Sequence, residues 1–391
     1  MMLEKFEIDP RLLKKRYRAE KRFHAYGIIA IALAMSFIVF FFYDVISKGI
    51  PAFKTVEVQV EVNYSQIVAD GNYRKAVSKD RVHIASRGWM RTLPMHLKAH
   101  PELIGSSETL WVPAEFRVNQ YIKGNQGHGL KGKYQKVADQ LYKNGTIRTA
   151  FNWNFFLNGD SKLPEIAGVG ASLVGSLVVM FITMVLAVPI GVITAIYLEE
   201  FAPDNWMTRA IEVNINNLAA IPSILFGLLG LAIFINFFGV PRSSALAGGM
   251  TLALMTLPII IISTRAALRS VPNSIREGAF GVGASGLQVV WHHVLPLALP
   301  GILTGSIIGL AQALGETAPL LIVGMMAFIP EAPLSIYQAS TVLPAQIYTW
   351  SSDSIRAFGE LTAAGVIVLL TIMLMLNGLA IWLRHHTSRT W

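Results

Sequence analysis

A chain of 391 residues that is 53% hydrophobic and only 15% charged falls well short of the roughly 25% charge of soluble domains, which excludes an ordinary soluble enzyme. The formal charge of +9 invites a nucleic-acid reading, but residues 1–47 hold 8 Lys/Arg against 5 Asp/Glu, residues 48–167 hold 17 against 10, and residues 168–391 hold 8 against 9, with no lysine after Lys162. More than half the chain is thus near-neutral and apolar, as bilayer-embedded protein is, and the absence of cysteine removes disulfides, thiolate metal sites and cysteine nucleophiles.

The first apolar run, residues 25–45, is long enough to cross a hydrocarbon core of ~30 Å. Before it, RLLKKRYRAEKR at 11–22 holds seven basic residues and one acid. A cleaved signal peptide begins in the same way. Here the apolar stretch exceeds the usual length for one, and no small-x-small site follows. We therefore expect an uncleaved helix at 25–47, with a basic arm at 1–24 held in the cytoplasm by the positive-inside rule.

Residues 48–167 are polar and contain no spanning segment. Thr55–Val62 alternates strictly, with Val56, Val58, Val60 and Val62 on one side and Thr55, Glu57, Gln59 and Glu61 on the other, the pattern of a half-buried strand. KGNQGHGLKGK at 123–133 reads as a loop. The stretch is long enough for a small α+β domain of its own, and a long loop of positive charge can still be exported. We expect it on the periplasmic face.

Five further spans are expected in residues 168–391, at about 168–197, 219–238, 245–268, 302–326 and 361–383. Alternation then leaves 198–218, 269–301 and the C-terminal tail inside, so both termini are cytoplasmic. The inner side holds Arg209, Arg265, Arg269, Arg276, Arg384 and Arg389, and the outer side Arg242 and Arg356. That asymmetry supports the orientation, although Glu199, Glu200, Asp204 and Glu212 crowd one inner loop; acids count little in this rule. Glycines at 168, 170, 175, 191, 227 and 230 suit close helix packing in lipid. Pro189, Pro222 and Pro258 imply kinks within a packed bundle. Tyr348 and Trp350, in LPAQIYTW at 343–350, are expected in the interfacial aromatic belt.

Three short patterns mislead. GHGLKGKY at 127–134 nearly matches a P-loop but ends in Tyr134, where a Ser or Thr must ligate Mg²⁺, and no hydrophobic strand leads into it. Gly281, Gly283 and Gly286 fit G-x-G-x-x-G without the required strand. His96 and His100 stand four apart, yet no Glu follows His96 and no third ligand is evident.

The stretch 269–301 is different. REGAFGVGASGLQVVWHHVLPLAL at 276–299 has apolar residues at helical spacing, a glycine-rich break at 281–286 and a proline stop at Pro296. It predicts two short helices joined at a turn on the inner surface, with Gly283 allowing the tight turn. The spacing Glu277-x-Ala279-x₃-Gly283-x₉-His293-x-Leu295-Pro296 resembles the EAA loop of ABC importer permeases, with Gly278 where Ala is usual and His293 where an apolar residue is usual. Together with AIYLEEFAP at 195–203, AIPSILFGLL at 220–229, Thr256–Pro258 and GETAPLL at 315–321, it resembles the phosphate-importer permease of the PstA type, in an extended N-terminal version.

That resemblance implies an all-α, six-span permease of an ABC importer in the bacterial inner membrane, with the α+β insert between its first two helices. It implies a transport subunit rather than an enzyme. Glu277, Gly278, Ala279, Gly283, His293, Leu295 and Pro296 would form the coupling loop. ATP and Mg²⁺ would be bound by two PstB-type ATPase subunits. A PstC-type permease would complete the pore, and a periplasmic phosphate-binding protein would deliver phosphate. Candidates for the translocation path are Gln312, Gly315, Glu316 and Thr317, since intramembrane acids are functional suspects, together with Arg265 and Arg269. Relatives commonly carry Arg at the positions of Gln312 and Ile262, and Arg265 lies one turn beyond Ile262. A permease for phosphonate, sulfate or molybdate, or a membrane-bound sensor, is the alternative reading.

Overall fold

The computed structural model describes residues 10–125, 129–326 and 328–387. Among these, five helices are long and apolar enough to cross a membrane, and a bent pair supplies a sixth span if it is counted as one. The six-span helical fold expected from the sequence is thus present, with a small sheet between the first two spans.

Helix α1 (Pro10–Gly49) carries residues 10–24 of the basic arm and the first span without interruption. Strand β1 (Lys54–Asn63) follows and lies centrally in an antiparallel sheet of order β2-β1-β3, flanked by β2 (Ser107–Pro113) and β3 (Ile147–Phe151). The alternation decides which face is buried: Val56, Val58, Val60 and Val62 are all 0% exposed. Each such side chain contributes roughly 1.5–3 kcal/mol of burial. They pack beneath α2 (Arg87–Ala99), α3 (Phe116–Ile122) and α4 (Gly132–Lys143) through Met90, Leu93, Leu97, Val118 and Ala138. On the opposite face Arg148 pairs with Glu57 at 2.7 Å and lies over the Trp111 ring at 4.2 Å. Part of the P-loop-like stretch, residues 126–128, lies outside the described residues; Gly132–Tyr134 opens α4.

The sheet unit's own core runs from Val56 to Ile147, which is narrower than the polar stretch 48–167. Phe155, Ala167 and Val169 instead share a core with Leu343, Trp350, Phe358 and Leu361 of the spans. Trp350 is therefore no belt residue. It is 2% exposed and donates Nε1–H to Asp160 Oδ1 at 2.9 Å, because residues 152–169 fold over it; Tyr348 stays exposed. Lys123 adds an ion pair to Glu360 at 3.2 Å, and Asn125 bonds the other oxygen of Glu360. Burial pushes the Lys123 ammonium below its usual value despite that partner.

At the same junction Glu165 is 4% exposed. Its Oε1 accepts from Ser86 Oγ at 2.9 Å, while Oε2 has no partner among the described residues. Burial raises its carboxyl above the ordinary range, and Glu115 adds to the rise while Arg87 opposes it. A carboxyl raised on folding binds its proton more tightly in the native state, so its contribution is most favourable below its unfolded pKa and is lost as pH rises through the folded value. Glu165→Gln should therefore raise the thermal midpoint of the full chain at neutral pH and leave it unchanged in acid. A wild-type-minus-variant difference that does not grow with pH would contradict this.

Helix α5 (Gly170–Phe201) is the second span and ends in a π-helical turn at Tyr197–Phe201. Helices α6 (Trp206–Ala219) and α7 (Ser223–Phe237) meet at 104°. Pro222 stands at that bend and cannot donate a helical hydrogen bond. Helix α8 (Ala245–Arg269) packs on α5. A Cβ on Gly191 would stand 2.7 Å from Ile260, and one on Gly249 would stand 2.5 Å from Ile182. Glycine at these positions is what allows the two helices their separation.

Two expectations for the second half need correction. Pro296 does not stop a helix. After α9 (Asn273–Gly281) and the turn at Gly283, α10 runs as one rod from Gly286 to Gly315. A π turn at Val290–Val294 lets Leu295 N–H reach back to Val290 O, so the hydrogen-bond register slips just before the proline that cannot donate. The fifth span is accordingly this rod, not residues 302–326, and it breaks at Glu316 before the short α11 (Ala318–Ile322). Helices α12 (Leu343–Ser351) and α13 (Ala357–Thr387) complete the described residues.

Candidate functional site

Of the coupling-loop candidates, Glu277, Gly278 and Ala279 lie on α9, Gly283 lies on the turn after it, and His293, Leu295 and Pro296 lie on α10. Ala279 is 6% exposed and packs with Leu268, Val271, Val289 and Val294, which fixes one face of α9 on the ends of two spans. The other face projects: Glu277, Gly278 and Gly283 are exposed, beside Phe280 at 55% and Val282 at 86% exposure. Gly283 has φ +88°, the left-handed region that a side chain resists. Its requirement is conformational, because a Cβ there would meet nothing within 4 Å. The same holds for Gly278, so the alanine usual at that position would fit. Ser285 caps α10 with a reciprocal capping box to Gln288, satisfying two otherwise unpaired donors. His293 and Pro296 are exposed and Leu295 is half-buried on the rod itself.

Arg276 braces this knob. Its Nε and Nη2 bond the two carboxylate oxygens of Glu200 at 3.1 and 2.6 Å. Its Nη1 bonds Val271 O at 2.8 Å and its Nη2 bonds Leu268 O at 3.0 Å. One guanidinium therefore joins α9, the last turn of α8 and the end of α5. The hydrogen bonds to Glu200 raise the pKa of the guanidinium further above the ordinary arginine value.

The neighbouring acid completes a lattice. Glu199 receives Arg265 Nε at 3.1 Å and Arg269 Nε at 2.7 Å, and Arg265 Nη2 also reaches Glu212 of α6 at 2.5 Å. Glu199 of α5 thus holds both candidate path arginines, and Glu212 of α6 holds Arg265 as well. The Arg265 side chain is 12% exposed and its charge is matched twice. Composition had assigned these acids only a minor place in the topology. Two consecutive glutamates closing an apolar span, with arginines at i and i+4 on another, were the available signal.

The remaining path candidates lie on the last turn of α10 and at the break that follows it. Ile308, Gln312 and Gly315 form an exposed stripe on α10, as the spacing i, i+4, i+7 requires. Glu316 is extended at φ −77°, ψ 124° and half-buried. Thr317 precedes α11, and Leu321 N–H bonds its carbonyl at 3.0 Å. Gly227 of α7 meets this break: its Cβ would stand 2.7 Å from Pro319 Cα and 2.9 Å from Pro319 O. The motifs AIPSILFGLL and GETAPLL, far apart in sequence, therefore touch backbone to backbone. Ile262 is exposed on α8, one turn from the neutralised Arg265. Elsewhere, His96 and His100 lie ring to ring at 5.0 Å, and His100 pairs with Glu102.

Comparison with known proteins fits this geometry. A family model described as binding-protein-dependent transport system inner membrane component matches residues 187–389, and one described as a domain of unknown function matches residues 11–80. The chain is 29% identical over 252 residues to the probable ABC transporter permease protein YqgI of Bacillus subtilis (strain 168), covering 61% of this chain and 85% of that one. It is 32% identical over 231 residues to the phosphate transport system permease protein PstA 1 of Mycobacterium tuberculosis (strain CDC 1551 / Oshkosh), covering 58% and 74%. It is 32% identical over 225 residues to the phosphate transport system permease protein PstC of Pasteurella multocida (strain Pm70), covering 51% and 69%.

Proposed function

This chain belongs to the family of binding-protein-dependent transport system inner membrane components, and on that premise we propose that it is one permease of an ATP-driven phosphate importer. It is a transport subunit of an ABC transporter. In our reading a PstC-type permease pairs with it to form the path. Two PstB-type ATPase subunits, which bind ATP and Mg²⁺, dock below the Glu277–Gly283 turn, and a periplasmic phosphate-binding protein delivers substrate above. The chain lies in a bacterial inner membrane with both termini cytoplasmic, and the 48–167 insert faces the periplasm.

The observation that carries coupling is the exposed Phe280–Val282 knob, clamped by Arg276 to two spans at once. A partner that grips the knob and closes would move α5 and α8 as rigid bodies. Phosphate as substrate rests on the two phosphate permeases it is similar to. This chain's own arginines near the path are neutralised by Glu199 and Glu212, and Gln312 lacks the bidentate donors of arginine. The positive charge that phosphate needs therefore comes from the partner permease.

Gly283→Trp tests the docking surface. A Cβ on Gly283 meets nothing within 4 Å, and the added backbone strain is local. Association with the ATPase subunits should fall by roughly tenfold or more, about 1.4 kcal/mol, while thermal unfolding of the permease shifts little. Unaltered association, measured by co-purification and titration, would contradict the docking model.

A further inference from the structure

The segment matched by a domain of unknown function opens with a pattern that points to a ligand. Helix α1 continues unbroken from the first span back to Pro10, so its residues turn by about 100° each. On that screw Arg11, Lys14, Lys15, Arg18, Lys21 and Arg22 fall within an arc of about 120°; these six line a single groove. The acid of the segment, Glu20, lies about 180° away from Arg11, where it pairs with His24. Leu12, Leu13, Tyr17 and Phe23 share that other side. Six of the seven basic residues of 11–22 therefore lie on one face, and only Arg16, about 140° from Arg11, lies on the other; orientation of the helix alone would not require that sorting.

We propose that this stripe binds the phosphate groups of anionic phospholipids in the leaflet at the start of α1. Position supports that occupant. Lys21 and Arg22 lie within ~6 Å of the apolar run along the axis, and Arg18 within ~10 Å, at 1.5 Å per residue. The headgroup layer is itself about 5–8 Å deep. Clustered Lys/Arg directly beside a span attract anionic lipid, and the attraction decays over a Debye length of about 8 Å. Packing supports it too. The apolar window of α1 is 0% buried, and the helix is held at its opposite end, where Gly49 approaches Ala363 of α13 closely enough that a Cβ would sit 2.9 Å from its carbonyl carbon. A rod pinned at one end takes its angle from whatever grips the other, and here that is the lipid headgroups.

The test uses the full transporter, purified with its partner subunits, carrying a fluorophore on Ala19→Cys in a chain that has no other cysteine. Short-chain phosphatidylglycerol should give a saturable emission change, and phosphatidylcholine should not. Exchanging neighbours (Leu13→Lys with Lys14→Leu, Tyr17→Arg with Arg18→Tyr, Glu20→Lys with Lys21→Glu) keeps the net charge and therefore the orientation while scattering the stripe. Phosphatidylglycerol affinity should fall about tenfold. Arg18→Gln with Lys21→Gln, a milder change, should lower it in the same direction. Inorganic phosphate at matched ionic strength should not displace the lipid. Equal responses to the two lipids, an exchange variant that binds like wild type, or displacement by free phosphate would each overturn the proposal. None of these readouts depends on which substrate the transporter carries.

Discussion

Arg276→Met should uncouple the transporter while the membrane core stays assembled. The substitution removes a bidentate bond to Glu200 and two bonds to the carbonyls of Leu268 and Val271. Glu200 has a side chain only 9% exposed, so it keeps its charge without a counter-ion or must take up a proton. Breaking a buried pair from one side costs about 3–5 kcal/mol. Screening at the membrane surface places the expected loss near the lower figure, a factor of roughly 150 in the docked-to-undocked ratio of α9. ATP-driven uptake should fall to near background, and proteolysis within 273–285 should accelerate. The pair also predicts its own rescue: Arg276→Met with Glu200→Leu should be less damaging than Arg276→Met alone, because the stranded charge is gone. A double variant as impaired as the sum of the single ones would show that the clamp is not the coupling element.

Gly227→Val should have the second largest effect. Its first added carbon would stand 2.7 Å from Pro319 Cα and 2.9 Å from Pro319 O, and these are backbone atoms that cannot turn aside as a flexible side chain would. Overpacking of this kind costs about 1–3 kcal/mol, and relief requires α7 to separate from α11, beside the Glu316 break. The thermal midpoint of the assembled transporter should drop by several degrees, and uptake should fall even where assembly survives. Gly278→Ala is the matched control, since a Cβ there meets nothing within 4 Å and alanine favours a helix by up to about 1 kcal/mol over glycine. Equal tolerance of both substitutions would contradict the close approach of the two motifs.

The contrast between these sites shows what a sequence can reveal. The valine alternation of β1 and the apolar runs of the spans are periodic and local, so they could be read directly, down to which face of β1 is buried. The Pro296 stop was misread because proline's missing donor is a local rule. The π turn at Val290–Val294 that carries the helix past it is a register shift with no compositional mark. Trp350 was misplaced for a different reason: its partner Asp160 lies in the insert, and aromatic residues near span ends look alike whether they face lipid or a core. The Glu199–Arg265–Glu212 and Glu200–Arg276 pairs join residues 53 to 76 apart in sequence. Each residue was visible, some even inside quoted motifs, but no periodicity pairs them. The turn that holds Glu277–Gly283 was legible through its spacing and its glycines, whereas the ion pairs that surround Arg265 and Arg269 were not. Folding pairs Arg265 with Glu199 and Glu212 and leaves Gln312 on an exposed stripe.

The central claim is that this chain and its partners move phosphate with energy from ATP. The most direct measurement is uptake of labelled phosphate into proteoliposomes bearing the co-expressed assembly, with ATP enclosed on the ATPase side and the binding protein added outside. The account predicts accumulation that requires both ATP and phosphate-loaded binding protein and is not competed by excess sulfate or molybdate. Accumulation of another oxyanion in place of phosphate, or phosphate entry that proceeds equally without ATP, would contradict it.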